Sequence, residues 1–393
     1  MTEQTNTPKL RFPEFKNEWS YDLLGDVVTN KSKKFDPKKE EATKDIELDS
    51  IEQNTGRLLD TYISNDFTSQ KNKFKKDNVL YSKLRPYLNK YYYATIDGVC
   101  SSEIWVLNTL NKDVLVNKFL YYFIQTNRFS SVTNKSAGSK MPRADWELVK
   151  NIRLYKGSIK EQEKIGYFFS KLDQQIELEE KKLELLEQQK RGYMQKIFSQ
   201  ELRFKDENGN KYPNWQTVKI GSILKERKER SGDGEMLSVT INHGIVKFDE
   251  IDRKDNSSKD KSNYKKVYKN DIAYNSMRMW QGASGKAEFD GIVSPAYTVV
   301  TPIENINSNF IAYYFKTHNM IHKFRINSQG LTSDTWNLKY KQLKDIKISI
   351  CSKEEQDKIA DLLTILDTRI KKQNHKLEIL NINKKGLLQK MFV

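Results

Sequence analysis

The pentapeptide EQEKI at residues 161–165 recurs as EQDKI at residues 355–359, an offset of 194 residues. The offset then holds without a gap to Phe198 and Phe392, and sixteen of the 38 aligned pairs are identical. Identity of this extent over one ungapped stretch indicates an internal repeat. The repeated stretch therefore decides how the rest of the chain is organised.

Weaker matches lie upstream of both copies. Leu10-Arg11-Phe12 matches Leu202-Arg203-Phe204, and residues 77–85 match residues 270–278. These pairs have almost the same separation as the pairs of the longer stretch. The chain is thus predicted to be a tandem duplication of one unit of roughly 190 residues.

Each copy of the repeated stretch carries apolar residues on alternating three- and four-residue steps. Polar residues interrupt the pattern at Glu179 and Lys190 in the first copy and at Gln373 and Lys384 in the second. The pattern predicts two long helices, each with a stripe of apolar residues along one face, which we call its seam. Because the two seams are alike, the helices are predicted to pack on each other through them. A plainer alternative is that each seam only covers its own globular domain. The seam residues are Ile165, Phe169, Leu172, Ile176, Leu183, Leu186, Ile359, Leu363, Leu366, Ile370, Leu377 and Leu380.

Chain direction predicts that the two helices are antiparallel, because the first one leads out of the first globular segment and into the second. At ~1.5 Å per residue, a helix from Ile165 to Ile197 is about 48 Å long. We therefore predict a mixed α/β (α+β) fold with two globular domains in tandem repeat, separated by two long antiparallel coiled-coil helices and related by pseudo-twofold symmetry. The predicted boundaries are 1–158, 159–199, 200–352 and 353–393.

Composition narrows the possible functions. The chain has 68 Lys and Arg against 52 Asp and Glu, a net charge of +16, and the two helices together carry only +2 of it. The basic surface thus belongs to the globular domains, where nucleic acid, an anionic membrane surface or an acidic partner would each match it. The longest apolar run, residues 119–124, is far too short to cross a bilayer, and the first residues lack a secretory signal. These features predict a cytoplasmic protein.

Metal chemistry has little support in the sequence. Cys100 and Cys351 are far apart, which favours buried thiols over a disulfide or a cysteine zinc site. His318 and His322 are one helical turn apart, but no nearby Cys, Asp or Glu completes a ligand set. We predict no metal site.

Basic and aromatic residues alternate in several short stretches of the globular domains. Cationic side chains bind phosphates, and arginine also reads guanine edges, so these stretches are candidates for DNA contact. The alternative for any one of them is a solvated basic loop beside core aromatics. The candidate DNA-binding residues are Lys73, Lys75, Lys83, Arg85, Tyr87, Lys90, Lys140, Arg143, Lys265, Lys266, Arg278, Trp280 and Lys286.

The order of these features resembles the specificity subunit of type I restriction-modification systems. The resemblance covers nearly the whole chain and includes the opening LRFPEF at residues 10–15 with Trp19, the LRPYL stretch at 84–88, and the start of the helix at 161–165. It implies that each globular half is a target-recognition domain that reads one half of a bipartite, asymmetric double-stranded DNA site. The helices would set the gap and dock the partner subunits.

The same resemblance implies the partners and their cofactors. Two modification subunits would supply an S-adenosylmethionine-dependent methyltransferase, and restriction subunits would supply an ATP- and Mg-dependent nuclease and translocase. The chain itself would be non-catalytic and would hold no cofactor. The second unit departs from the pattern at Met279, which replaces Pro86, and in the polar residues 205–212. The two domains are therefore expected to read different sequences.

Two alternatives from other classes stay open at this point. No two prolines are adjacent, so the Asn/Asp-Pro-Pro-aromatic loop of an amino-methyltransferase is missing, and Gly285-Lys286 lacks the flanking residues of a phosphate-binding loop. A nuclease built from acidic residues such as Glu40, Glu47 and Asp49 is one alternative. A coiled-coil scaffold without a nucleic-acid role is the other, although the basic domains argue against it.

Overall fold

A computed structural model describes residues 6–64, 70–136, 140–251 and 260–393. The chain divides into two compact units. The first consists of the residues up to Glu180 together with His375–Val393, and the second consists of Lys181–Asn374. Each unit thus combines a globular part with segments of both long helices.

The elements of the first globular part are short and are followed by one long helix. In chain order they are β1 Ser20–Leu23, α1 Leu24–Val27, β2 Val28–Thr29, β3 Lys34–Phe35, β4 Lys44–Ile46, β5 Tyr62–Ile63, β6 Lys71–Phe74, β7 Val79–Ser82, β8 Tyr91–Tyr93, β9 Gly98–Ser101, β10 Ile104–Thr109, α2 Asn117–Phe123, α3 Asn127–Thr133, α4 Trp146–Val149, β11 Arg153–Lys156 and α5 Ile159–Phe198. Strands β1 and β11 pair antiparallel, β2-β10-β7-β8 form a four-stranded sheet, and β3-β6-β9-β4-β5 form a five-stranded sheet. Most residues of β7 and β10 are buried, because these strands lie inside their sheet.

The second unit repeats this order. Its elements are β12 Gln216–Lys219, α6 Ile220–Ile223, β13 Leu224–Glu226, β14 Met236–Thr240, β15 Gly244–Lys247, β16 Lys265–Val267, β17 Ile272–Asn275, β18 Ser284–Lys286, β19 Gly291–Val293, β20 Tyr297–Pro302, α7 Ser308–Phe315, α8 His318–Asn327, α9 Tyr340–Leu343, β21 Lys347–Ile350 and α10 Lys353–Met391. The sheet β13-β20-β17-β18 corresponds to β2-β10-β7-β8, and the parallel pair β14 and β19 corresponds to β4 and β9. The predicted duplication and the mixed α/β class are confirmed.

Each unit has a main core and a smaller core under its second sheet. The main core of the first unit gathers Trp19, Phe119 and Phe169 and includes Met391 and Phe392 from the end of α10. The main core of the second unit is built alike and includes Ile197 from the end of α5. The core of each globular part therefore contains residues from two helices. The helix that follows it in the chain contributes its first turns, and the other long helix contributes its end.

The predicted seams are buried or half-buried along their whole length. Ile165 and Phe169 lie in the main core of the first unit, and Ile359, Leu363 and Leu366 lie in that of the second. The first turns of each seam thus cover a globular domain, which was the plainer alternative. The predicted helices are confirmed: they span Ile159–Phe198 and Lys353–Met391, and each begins six residues before its first seam residue, Ile165 or Ile359.

Polar contacts inside the first unit show how the two helices run. The Lys384 ammonium lies 2.7 Å from the Asp173 carboxylate, and Lys376 pairs with Glu179. Because the residue number rises on one helix as it falls on the other, the two helix segments are antiparallel. In the second unit Lys190 pairs with Asp367 at 2.5 Å. No helix within the described residues is long and apolar enough to span a membrane.

Candidate nucleic-acid interface

The joint between each globular part and its helix is a buried ion pair. In the first unit the Arg11 guanidinium donates two hydrogen bonds to the Glu161 carboxylate at 2.6 and 2.8 Å, and the Trp19 indole donates a third at 3.0 Å. The hydrogen bond to Glu161 raises the pKa of Arg11 above its ordinary value. These contacts tie the start of the chain to the first turn of α5.

The second unit repeats the joint with equivalent residues. Arg203 donates to both oxygens of Glu355 at 2.8 and 2.7 Å, and Trp215 donates to the same carboxylate at 3.3 Å. The next residue of each repeat, Gln162 or Gln356, accepts from one backbone amide and donates to a nearby carbonyl. The Glu-Gln pair that reveals the duplication is therefore the joint itself, since it ties the first turn of each long helix to the start of its unit and to the segment before α2 or α7.

Two loops meet at one edge of the first unit. The Arg85 amide donates to the Pro142 carbonyl at 2.8 Å, and the Ala144 amide donates to the Lys83 carbonyl at 2.7 Å. The loop after β7 turns sharply, with φ of +50° at Arg85 and +47° at Asn89. Five of the predicted residues come together here, and we call them the first basic surface: Lys83, Arg85, Tyr87, Lys140 and Arg143.

The candidate DNA-binding residues of the first unit differ in whether another group of the protein already binds their side chains. Arg143 pairs with Glu103 at 3.0 Å, Lys73 pairs with Glu40, and the Lys90 ammonium donates to the Leu48 carbonyl at 2.6 Å. By contrast, within the described residues the side chains of Lys75, Lys83, Arg85, Tyr87 and Lys140 have no hydrogen-bond or ion-pair partner. The second group has charge and donors available for phosphate or base contacts.

In the second unit, too, some candidate side chains are bound within the domain and others are not. Lys265 donates to the Tyr297 carbonyl at 2.6 Å, and its burial lowers its pKa. Lys286 pairs with Glu288 at 3.0 Å, and Lys266 makes a long contact with the Asp233 carbonyl. These three lysines are held by their own domain. In the part of the chain that the structure describes, the exposed guanidinium of Arg278 has no such partner.

Trp280 lies beside Trp336 and Arg325, two residues that are not among the predicted DNA-binding residues. Its ring packs edge-on against Trp336 at 5.2 Å between centroids, and the Arg325 guanidinium lies 5.5 Å from the centre of the Trp336 ring. The Leu338 amide donates to the Ser276 carbonyl at 2.8 Å, which brings the loop before α9 next to Arg278. This loop carries no lysine or arginine between Ser328 and Leu338, so a search for basic stretches could not find it.

Lys316 ties two loops of the second unit together. Its ammonium donates to the Ile241 carbonyl at 2.8 Å and to the Gly282 carbonyl at 2.6 Å. Gly282 has φ of +85° at the end of the turn that contains Trp280, a conformation that glycine adopts without strain. Burial lowers the pKa of Lys316 to about 8. Lys316 is thus a positioning residue for the loop that presents Arg278.

The lowered pKa of Lys316 predicts a pH-dependent stability difference. Between pH 8 and 10 the unfolded chain keeps a proton that the folded lysine has released, so raising the pH stabilises the folded state. From pH 7 to 9.5, we expect wild type to gain on the order of 1–2 kcal/mol in free energy of unfolding relative to Lys316→Met. Urea unfolding of both proteins at the two pH values measures this. A difference that stays constant, or that changes in the opposite direction, would contradict it.

Comparison with known proteins bears on the whole chain. The family model for the type I restriction modification DNA specificity domain matches residues 16–188 and 212–381. The EcoDI specificity subunit of Escherichia coli is 28% identical over 156 residues, which cover 39% of this chain and 34% of that protein. The MjaVIII specificity subunit of Methanocaldococcus jannaschii is 27% identical over 208 residues, covering 50% of this chain and 46% of that protein. The chain thus matches a third to a half of the length of these relatives.

Solved structures share the fold over nearly the full chain. The S subunit of a type I restriction-modification system from M. genitalium has a TM-score of 0.57 at 17% identity, covering 98% of this chain and 99% of that one. A chain from a study of complex assembly of the type I R-M system gives the same TM-score at 15% identity, covering 97% and 98%. Because the family model matches both units over most of their length, the chain belongs to the family of type I restriction-modification DNA specificity subunits.

Proposed function

We propose that this protein is the subunit that recognises the DNA sequence in a type I restriction-modification enzyme. Each unit reads one half of a bipartite, asymmetric site. The observation that carries the proposal is the matched pair Arg85 and Arg278, which are equivalent in the repeat, exposed, and without a partner among the described residues. Each follows an inner strand of the equivalent sheet, β7 or β17, and belongs to a loop that is braced by a second loop.

The proposed partners are modification and restriction subunits. Exposed leucine and isoleucine side chains on the long helices are available for contact with a partner protein. Leu185 and Ile379 are equivalent in the repeat and are 63% and 44% exposed. The exposed apolar residues of α5 and α10 are Tyr167, Leu178, Leu185, Ile365, Ile379 and Ile382. We propose that the partner subunits bind these faces of the helices.

We also propose that the chain is non-catalytic and works in the cytoplasm, where cellular DNA is available to it. S-adenosylmethionine, ATP and Mg are assigned to the partner subunits. Among the described residues, no group of three or more His, Cys, Asp or Glu is placed to hold a metal ion. The cations without a partner among the described residues, Lys75, Lys83, Arg85, Lys140 and Arg278, favour DNA recognition over a scaffold.

Exchange of one domain tests the proposal. Residues 200–352 are replaced by the corresponding domain of a relative, and the variant is expressed with its modification subunit. Genome-wide methylation mapping should show one half-site altered and the other unchanged, because each domain has its own core. The chain without its modification subunit is the control, and it should transfer no methyl group. Alteration of both half-sites, or methyl transfer by the isolated chain, would contradict the proposal.

Alanine substitutions test whether Arg85 and Arg278 contact DNA. We expect Arg85→Ala and Arg278→Ala each to weaken cognate binding by ~1–3 kcal/mol if the arginine reads a base. A phosphate contact would instead weaken binding to all sequences and lower the salt dependence. Arg143→Ala is the matched control, because Glu103 already neutralises that guanidinium. Binding titrations over a range of salt distinguish these results, and unchanged affinity and salt dependence in Arg85→Ala and Arg278→Ala would remove both arginines from the interface.

A further inference from the structure

The loop of residues 329–337 in the second unit is a well-defined projection. Its two sides are joined by backbone hydrogen bonds between Gln329 and Asn337 at 3.0 and 2.8 Å. Near the tip, the Thr332 amide donates to the Thr335 hydroxyl at 3.1 Å. Gly330 has φ of +149°, and a side chain there would lie 2.6 Å from the Thr335 backbone. The loop is thus shaped by its own contacts.

Leu331 lies at this tip and is 101% exposed, so its side chain is fully accessible to solvent in the folded domain. Shielding such a leucine from water is worth ~1.5–3 kcal/mol. The neighbouring tip residues are Thr332, Ser333 and Asp334, whose short side chains present hydroxyl and carboxylate oxygens. A leucine among such residues is suited to a partner that offers both apolar and polar groups.

The surroundings of the loop favour DNA as that partner. Arg278 and Arg325 lie at its base, next to the Trp280 and Trp336 pair, and both arginines are exposed. The loop itself carries no positive charge, whereas its base does. Cations at the base would bind the phosphates that border a groove, while the tip, which has no cation, reaches the bases between them. A projection of two hydrogen-bonded chain segments also has the width that the major groove admits.

We propose that the 329–337 loop enters the major groove and that Leu331 contacts a thymine methyl group in the second half-site. Leu331 is then a specificity-determining residue. The thymine methyl is the apolar group that the bases expose in the major groove, so it is the one that a leucine recognises. The inference rests on the proposed function and adds to it the chemistry by which one base pair is read.

The experiment uses the complex with the modification subunit and compares wild type, Leu331→Ser and Leu110→Ser. Leu110 is an exposed leucine of the first unit, 58% exposed, and serves as the matched control. Binding is measured on the mapped cognate duplex and on a scrambled duplex. We expect Leu331→Ser to lose roughly tenfold in cognate affinity, within the range for one mismatched base pair. Scrambled binding and the salt slope should stay the same, because no cation is removed.

A deoxyuridine scan locates the contact. Each thymine of the second half-site is replaced in turn by deoxyuridine, which removes only the methyl group. Wild type should lose affinity at one position, and Leu331→Ser should be indifferent at that position. No sensitive position, an unchanged affinity of Leu331→Ser, or loss of the modification subunit from its complex would each overturn the inference. If wild type itself does not distinguish the cognate from the scrambled duplex, the proposed function fails instead.

Discussion

Replacing Glu355 by alanine is expected to lower the free energy of unfolding of the second unit by about 3–5 kcal/mol, the cost of breaking a buried ion pair from one side. The Glu355 side chain is fully buried and accepts hydrogen bonds from Arg203 and Trp215. Without it, the Arg203 charge stays largely enclosed, with only 22% of the side chain exposed and no carboxylate to compensate it. The loss should therefore exceed that of an ordinary surface substitution several-fold.

Calorimetry or denaturant unfolding measures the effect, and two variants serve as controls. Glu354→Ala changes the preceding residue, which is exposed in the first turn of α10, and should cost no more than about 1 kcal/mol in free energy of unfolding. Glu161→Ala removes the equivalent carboxylate and should destabilise the first unit to a similar degree. A small effect of Glu355→Ala together with a large effect of Glu354→Ala would show that the joint does not depend on the buried pair.

Periodicity and repetition predicted the long helices well because both properties are local in sequence. The seam from Ile165 to Ile197 fell inside the observed helix Ile159–Phe198. The role of Glu161 was not predictable in the same way, because its partners Arg11 and Trp19 are 150 and 142 residues away in sequence. The repeat did contain a signal, since all three residue types recur in the second unit, but it gave no sign that they touch.

The candidate interface shows the same limit at the level of single side chains. A basic stretch predicts positive charge, but only the fold decides whether a carboxylate or carbonyl already binds it. Lys265 and Lys286 looked equivalent to Arg278 in sequence, yet both are bound within their own domain. The 329–337 loop was missed because it carries no lysine or arginine. Its place beside Arg278 follows from contacts distant in sequence, the Leu338–Ser276 backbone hydrogen bond and the packing of Trp336 on Trp280. Whether the selected residues contact DNA stays a prediction.

The end of the chain is expected to be as important for the first unit as any residue of its globular part. The Phe392 ring packs against Phe119 at 4.8 Å between centroids and lies near Phe123 and Phe169. Only 6% of Phe392 is exposed. Truncating a buried phenylalanine to alanine removes its apolar contacts and leaves a cavity, which costs about 3–5 kcal/mol. Phe392→Ala should therefore destabilise the first unit by that amount.

The repeat supplies the matched variant for this test. Phe198 is equivalent to Phe392 and stacks on Tyr314 in the core of the second unit, at 4.6 Å between centroids. Phe198→Ala should destabilise the second unit instead, whereas Ile382→Ala, at a site on α10 that is 60% exposed, should have little effect. Hydrogen exchange followed by mass spectrometry assigns each loss of protection to one unit. If Phe392→Ala loosened only residues 181–374, the last turn of α10 would not be part of the first core, and the way each repeat closes its domain would need another explanation.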